Sequence, residues 1–254
     1  MILNFTESGA GAPLVLLHGL FGAARNLGVL SRALSTSYRV IALDLRNHGD
    51  SQHDPQMDYA IMAQDVAETL AHLGLSRVRL CGHSMGGKTA MMLALARPEM
   101  VDYLAVMDIA PVSYQHNYTD LTDAMLSIPL APDLTRSQAE QVLASVVKEA
   151  PMRAFLLNNL VLGARPHWRV GLAEIKANMA NLFRWDDPSA MPVYNGPTLF
   201  LCGARSSYVT PALEPKIRQR FPQADIEYVA DASHWLHADK PEIVITALRE
   251  FFAS

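Results

Sequence analysis

The sequence predicts an α/β fold: one mostly parallel central sheet, helices on both of its faces, and a helical insertion over the carboxyl edge of the strands. Three observations lead there. Short apolar runs alternate with stretches of helical periodicity. A Gly-x-Ser-x-Gly motif follows directly on one of those runs, and the stretch from 112 to 191 breaks the alternation. Strands joined by crossover helices run parallel and are covered on both faces, which is why they read as near-continuous apolar runs.

Taken in order, the expected strands are Ile2 to Thr6, Leu14 to Leu17, Arg39 to Leu43, Val78 to Cys81, Tyr103 to Met107, Thr198 to Cys202 and Ile226 to Val229. Helical patterns over Asn26 to Ser35 and Tyr59 to Leu73 separate the early strands. The second sets Ile61, Met62, Val66, Leu70 and Leu73 on one face. Lys88 to Ala96 is rich in helix formers and stops at Arg97-Pro98. The last helix, Pro241 to Phe252, opens on proline and directs Ile243, Val244, Ala247, Leu248 and Phe251 inward. Between 112 and 191 no strand is expected, only helical pieces such as Ser137 to Glu149 and Gly171 to Phe183. A segment of that length is not a bare loop in a compact domain. Residues 1–111 and 192–254 are therefore read as the core and 112–191 as an insertion, with Pro188, Pro192, Gly196 and Pro197 marking the return.

Composition narrows the functional classes. The chain has 254 residues, of which 50% are hydrophobic and 18% charged, enough for a sizeable core in one domain. Its net charge of −4 carries no basic footprint for nucleic acid. No apolar run reaches the roughly 18 residues of a membrane span, and no basic leader opens the chain. Cys81 and Cys202 read as buried free thiols in a reducing cytoplasm. A cytoplasmic protein without membrane association is expected. No metal or organic cofactor is expected either, since neither a ligand-spaced Cys/His cluster nor a phosphate-binding loop is present.

The motif Gly82-His83-Ser84-Met85-Gly86-Gly87 points to acyl transfer. A serine on a sharp strand-to-helix turn is held in a strained backbone that lifts its hydroxyl clear of the sheet. Such a hydroxyl needs a base, and in this architecture the order is nucleophile, acid, histidine. His234, in Ser233-His234-Trp235 beyond the last expected strand, is the favoured base, with His237 as the fallback. The loop after Thr198 to Cys202, where the acid usually stands, reads Gly203-Ala204-Arg205-Ser206-Ser207-Tyr208 and holds no carboxylate. Asp108 at the end of the neighbouring strand is the substitute, because adjacent strands lie only about 4.8 Å apart. Asp44 and Asp231 rank below it. Ser206 either donates to Asp108 or His234, or only shapes its turn. Oxyanion donors are the N–H of Met85 with that of Leu20 or Phe21, in His18-Gly19-Leu20-Phe21-Gly22. Phe21, Trp235, Phe155, Leu156, Leu160 and Trp168 are candidate walls of an apolar acyl pocket.

His18-Gly19, Arg46-Asn47-His48-Gly49-Asp50-Ser51, the motif around Ser84 and Ser233-His234-Trp235 together resemble the α/β-hydrolase superfamily. Within it, His18 to Gly22, Arg46 to Gly49, Ser84 to Lys88 and Met107 to Val112 resemble the bacterial YbfF-type esterases. The resemblance implies the α/β-hydrolase fold with a helical cap, a Ser84–Asp108–His234 triad, and Ser206 as an auxiliary. It also implies hydrolysis of short to medium acyl esters, or of acyl thioesters including acyl-CoA, with a small molecule as the partner and the oligomeric state open. Rival chemistries on the same triad are carbon–carbon bond hydrolysis and perhydrolysis. Outside catalysis the rival is a small-molecule receptor on a hydrolase scaffold.

Overall fold

The computed structural model describes residues 1–115, 118–186 and 192–254. Its core elements begin with β1 (Phe5–Ser8), β2 (Pro13–Leu17), α1 (Gly28–Leu34), β3 (Arg39–Leu43), α2 (Tyr59–His72), β4 (Val78–His83), α3 (Met85–Ala96) and β5 (Val101–Met107). The insertion follows as α4 (Thr119–Leu126), α5 (Arg136–Ala144), α6 (Ala150–Leu157), β6 (Leu160–Val161), β7 (His167–Trp168), α7 (Leu172–Ala177) and α8 (Met179–Phe183). The core resumes with β8 (Thr198–Gly203), α9 (Glu214–Arg220), β9 (Ala224–Val229), α10 (Leu236–Asp239) and α11 (Pro241–Ala253).

Seven strands form one sheet in the order β1-β3-β2-β4-β5-β8-β9. Only β1 runs antiparallel, against β3; the other pairings are parallel. The two-faced burial expected of parallel strands is visible along β2. Val15 and Leu17 join the core under α2, α3 and the insertion, while Leu14 and Leu16 join the core under α1 and α11. Both cysteines are buried and free. Among the described residues no helix is long and apolar enough to cross a membrane.

Several expected boundaries shift for local reasons. The first strand starts at Phe5 rather than Ile2, because the Asn4 N–H goes to the Ser51 hydroxyl (2.8 Å) before the ladder to β3 begins. Asn26 to Ser35 is a 3₁₀ turn, Ala24–Leu27, running into α1. The piece from Ser137 to Glu149 ends as a helix at Ala144, and the one from Gly171 to Phe183 breaks at Asn178. The insertion is also not strand-free. Leu160 pairs with Trp168 and Val161 with His167 in a two-residue antiparallel ladder, too short to leave a period-2 pattern in sequence. Pro188, one of the residues expected to mark the return, lies outside the described residues.

The sheet is a positioning device because β4 and β5 end level with one another and β8 runs two residues beyond them. The Ser84 N–H donates to Met107 O (3.0 Å), and the Asp108 N–H donates to Leu201 O (2.9 Å). The residues that leave β4 and β5 are therefore stitched to carbonyls of the neighbouring strand.

Candidate active site

Ser84 caps α3 with φ 53° and ψ −118°, a left-handed backbone that costs a non-glycine residue of order 1–3 kcal/mol. The turn closes only because the chain around it is glycine. A Cβ on Gly82 would sit 2.2 Å from Gly86 O, and one on Gly86 would sit 2.4 Å from Leu17 O. The strain is thus imposed by the packing of β4 on α3 and β2, and it presents the hydroxyl at the sheet edge.

Three side chains from separate segments meet there. His234 Nε2 lies 3.0 Å from Ser84 Oγ, and His234 Nδ1 lies 2.7 Å from Asp108 Oδ2. An Nδ1–H donated to the carboxylate leaves Nε2 as the acceptor facing the serine. Asp108 also has a positive φ, 51°, and its side chain is fully buried. Its charge is compensated by donors: the Gly203 N–H reaches Oδ1 at 2.9 Å, and the Ser206 hydroxyl makes a short hydrogen bond to Oδ2. The Tyr208 N–H in turn donates to Ser206 Oγ (3.1 Å). Ser206 therefore both donates to Asp108 and fixes its turn, and its single proton is not directed at His234. The Tyr208 ring stacks on the imidazole, with centroids 4.0 Å apart and planes at 21°.

The other acidic candidates are occupied elsewhere. Asp44 accepts from Ala24 N (2.7 Å), Asp50 N (3.0 Å) and Asn4 Nδ2 (2.8 Å), which makes it a loop organiser. Asp231 sits in an exposed turn. His237, the fallback base, stands behind His234 with Nδ1 unpaired, and burial pushes it down to about 4. His83 donates from Nε2 to the His234 carbonyl (2.8 Å) and so anchors the loop carrying the imidazole. Burial, with His237 and His234 alongside, holds His83 well below its ordinary value.

The loop over Ser84 places Leu20 and Phe21 in different surroundings. Phe21 has φ 60°, and its N–H donates to His48 Nε2 at 3.1 Å, so it does not face the serine. That leaves Leu20 as the loop's candidate donor, opposite Met85 at the first turn of α3, where helical N–H groups lack an intrahelical acceptor. Two neutral histidines hold this loop. His18 accepts from Leu45 N (3.0 Å) and donates to Gly19 O (2.8 Å); His48 donates from Nδ1 to Arg46 O (2.8 Å). Burial drives His48 down to about 3, which keeps Nε2 an acceptor. From the insertion, Asn159 Nδ2 donates to Phe21 O at 2.6 Å.

A cleft opens beside Ser84, walled by Phe21, Tyr118, Leu121, Met152, Phe155 and Trp235. Leu156 and Leu160 are not in the wall; both are buried in the hydrophobic core. Trp168 lies on the short β6–β7 ladder, away from the cavity lining. The reason is helical geometry. Met152 and Phe155 share one face of α6, and the next residue turns about 100° away, into the body of the insertion. Tyr118, Leu121 and Met152 carry no local signal that separates them from ordinary core residues. Among the described residues no group of histidine, cysteine and carboxylate side chains could hold a metal ion.

Residues 12–241 match the family model described as alpha/beta hydrolase fold. The chain is 43% identical over 260 residues to the mouse sn-1-specific diacylglycerol lipase ABHD11, covering 98% of this chain and 84% of that protein. It is 36% identical over 241 residues to Esterase YbfF of Escherichia coli strain K12, covering 94% and 92%. A solved structure described as a marine microorganism esterase superposes with a TM-score of 0.94 at 34% identity, covering 98% of this chain and 99% of its own. With a sheet of this order, a serine at its strained elbow and relatives matched over nearly their whole length, the chain belongs to the α/β-hydrolase family.

Proposed function

We propose that the protein is a serine carboxylic-ester hydrolase that cleaves short to medium acyl esters, and acyl thioesters including acyl-CoA, through an acyl-enzyme. The observation that carries this reading is the unbroken relay from Ser84 Oγ through His234 to the buried Asp108. The names of the mouse and bacterial relatives, a diacylglycerol lipase and an esterase, support the same chemistry.

In the first half-reaction His234 Nε2 takes the Ser84 proton as Oγ bonds to the ester carbonyl carbon. The carbonyl oxygen becomes an oxyanion facing the N–H groups of Leu20 and Met85. Collapse expels the alcohol or thiol, which receives its proton from the imidazolium. In the second half-reaction His234 deprotonates water, hydroxide attacks the acyl-enzyme, and Ser84 leaves with the proton restored. Asp108 orients the ring and stabilises its cation, and Ser206 holds the carboxylate. Residues 112–191 act as the cap that shapes the pocket.

Turnover of a p-nitrophenyl ester series of increasing acyl length, in parallel with acyl-CoA thioesters, tests the reading. An active-site phosphonate should label Ser84, and Ser84→Ala should remove turnover. A receptor on the same scaffold would instead show ligand-induced stabilisation without multiple turnover.

A further inference from the structure

A second, narrow lobe adjoins Ser84 on the other side of the oxyanion loop. Its lining includes Leu20, Met85 and Lys88, together with the rings of Tyr59 and Tyr114. Lys88 lies four residues after Ser84 on α3, hence on the same helical face and about 6 Å further along the axis. Its side chain is buried, yet among the described residues the ammonium makes only one long hydrogen bond, to Arg184 O (3.3 Å), and faces the rings of Tyr59 and Tyr114, 5.1 and 5.0 Å away. Among the described residues no carboxylate lines the lobe or forms an ion pair with it. A buried ammonium without a counter-ion is costly, and an anion brought by a ligand relieves that cost.

The two lobes divide the substrate. His234 lines the first lobe and not the second. The group that receives the imidazolium proton must lie beside that ring, so the alcohol or thiol occupies the first lobe and the acyl chain turns into the second. We propose that Lys88 binds a carboxylate on the acyl part of the substrate, making half-esters and half-thioesters of short dicarboxylic acids the favoured substrate class. This rests on the acyl-enzyme reading of Ser84. Among the described residues the groups sharing the lobe with the ammonium are Tyr59 from α2, Tyr114 and Tyr118 from the segment after β5, and Tyr208 from the loop after β8, with the backbone at Arg184, whose own side chain pairs with Asp186. Burial raises Tyr59, Tyr114 and Tyr208, so these phenols stay neutral while Lys88, lowered by its own burial to about 7, gains or loses its proton.

The test compares monoethyl glutarate with its neutral isostere, an isopropyl group replacing the carboxylate, in wild type and Lys88→Met. The wild type should prefer the acid by about tenfold or more in kcat/KM at about pH 6, mainly through KM, and the preference should vanish in the variant. Lys88→Arg should keep part of it. An equal preference in wild type and Lys88→Met overturns the proposal. Should Lys88→Met not fold, the wild type carries the test alone. Glutarate should inhibit neutral-ester cleavage competitively and weaken about tenfold between pH 6 and pH 8 as Lys88 loses its proton. Inhibition that is absent, or flat with pH, overturns the assignment. Failure of the underlying reading shows itself separately, as Ser84→Ala cleaving the neutral isostere at the wild-type rate.

Discussion

Replacing Lys88 by Met removes a buried charge while nearly conserving volume, and linkage turns that into a pH-dependent stability. Burial lowers the ammonium from 10.5 to about 7 in the folded chain. Between those two values the unfolded state binds more protons than the folded one, so this group makes stability rise with pH through the window. The penalty it imposes on folding is about 5 kcal/mol at pH 6 and about 2 kcal/mol at pH 9, because one pKa unit is worth about 1.4 kcal/mol. The stability of Lys88→Met relative to wild type should therefore be greater at pH 6 than at pH 9 by about 2–3 kcal/mol. Urea unfolding of both proteins at the two pH values measures it, with the slope checked for constancy. Packing that the lysine stem provides in either protonation state cancels in that comparison. A gap between the two proteins that is the same at both pH values within about 0.5 kcal/mol refutes a depressed, counter-ion-free ammonium.

Asp108→Asn should lower kcat by about 10⁴, the cost of the wrong tautomer in the serine-protease example, while Ser206→Ala should lower it by only about tenfold through loss of one hydrogen bond to the carboxylate. Steady-state kinetics on one p-nitrophenyl ester ranks the two, and a reversed ranking removes Asp108 as the acid. His48→Phe leaves the Phe21 N–H without its acceptor, which should cost about 1–3 kcal/mol in urea unfolding and lower kcat more than it raises KM. Unchanged kcat would show that the oxyanion loop does not depend on that brace. Phe155→Ala should raise KM for esters of longer alcohols more than for methyl esters, read from an alcohol chain-length series. A uniform effect across the series would place Phe155 outside the substrate's path.

The elbow is legible in sequence because its geometry demands glycine at 82 and 86, and such a demand leaves a mark that apolar periodicity cannot imitate. The acid is harder. Asp44 and Asp108 both follow apolar strands, and only the sheet order, with β5 between β4 and β8, sets Asp108 beside the loop carrying His234. Bracing contacts such as His48 with Phe21, or Asn159 with Phe21, join residues 27 and 138 positions apart and have no local pattern. Lys88 misleads in the opposite direction: on a helix it reads as a solvated helix former, yet it is among the largest fully buried side chains. Leu156 fails as a wall residue for a related reason, since an apolar residue beside Phe155 serves whichever face the helix happens to turn.

The insertion is sewn to the core on several sides. Asn159 Nδ2 holds Phe21 O, Tyr59 Oη donates to Leu182 O at 2.5 Å, the Gly171 N–H donates to Asn47 O at 2.8 Å, and Asn178 Nδ2 donates to Pro55 O at 2.8 Å. Swinging this roof away as a body would also pull on the loop of Phe21, the proposed oxyanion loop, so an open roof and turnover should exclude each other. Entry and exit should then need only side-chain rotation at the mouth, on nanosecond scales, rather than hinge motion on microsecond to millisecond scales. Hydrogen exchange in the roof should accordingly stay the same when Ser84 is phosphonylated; a broad slowing there would reveal a hinged door instead.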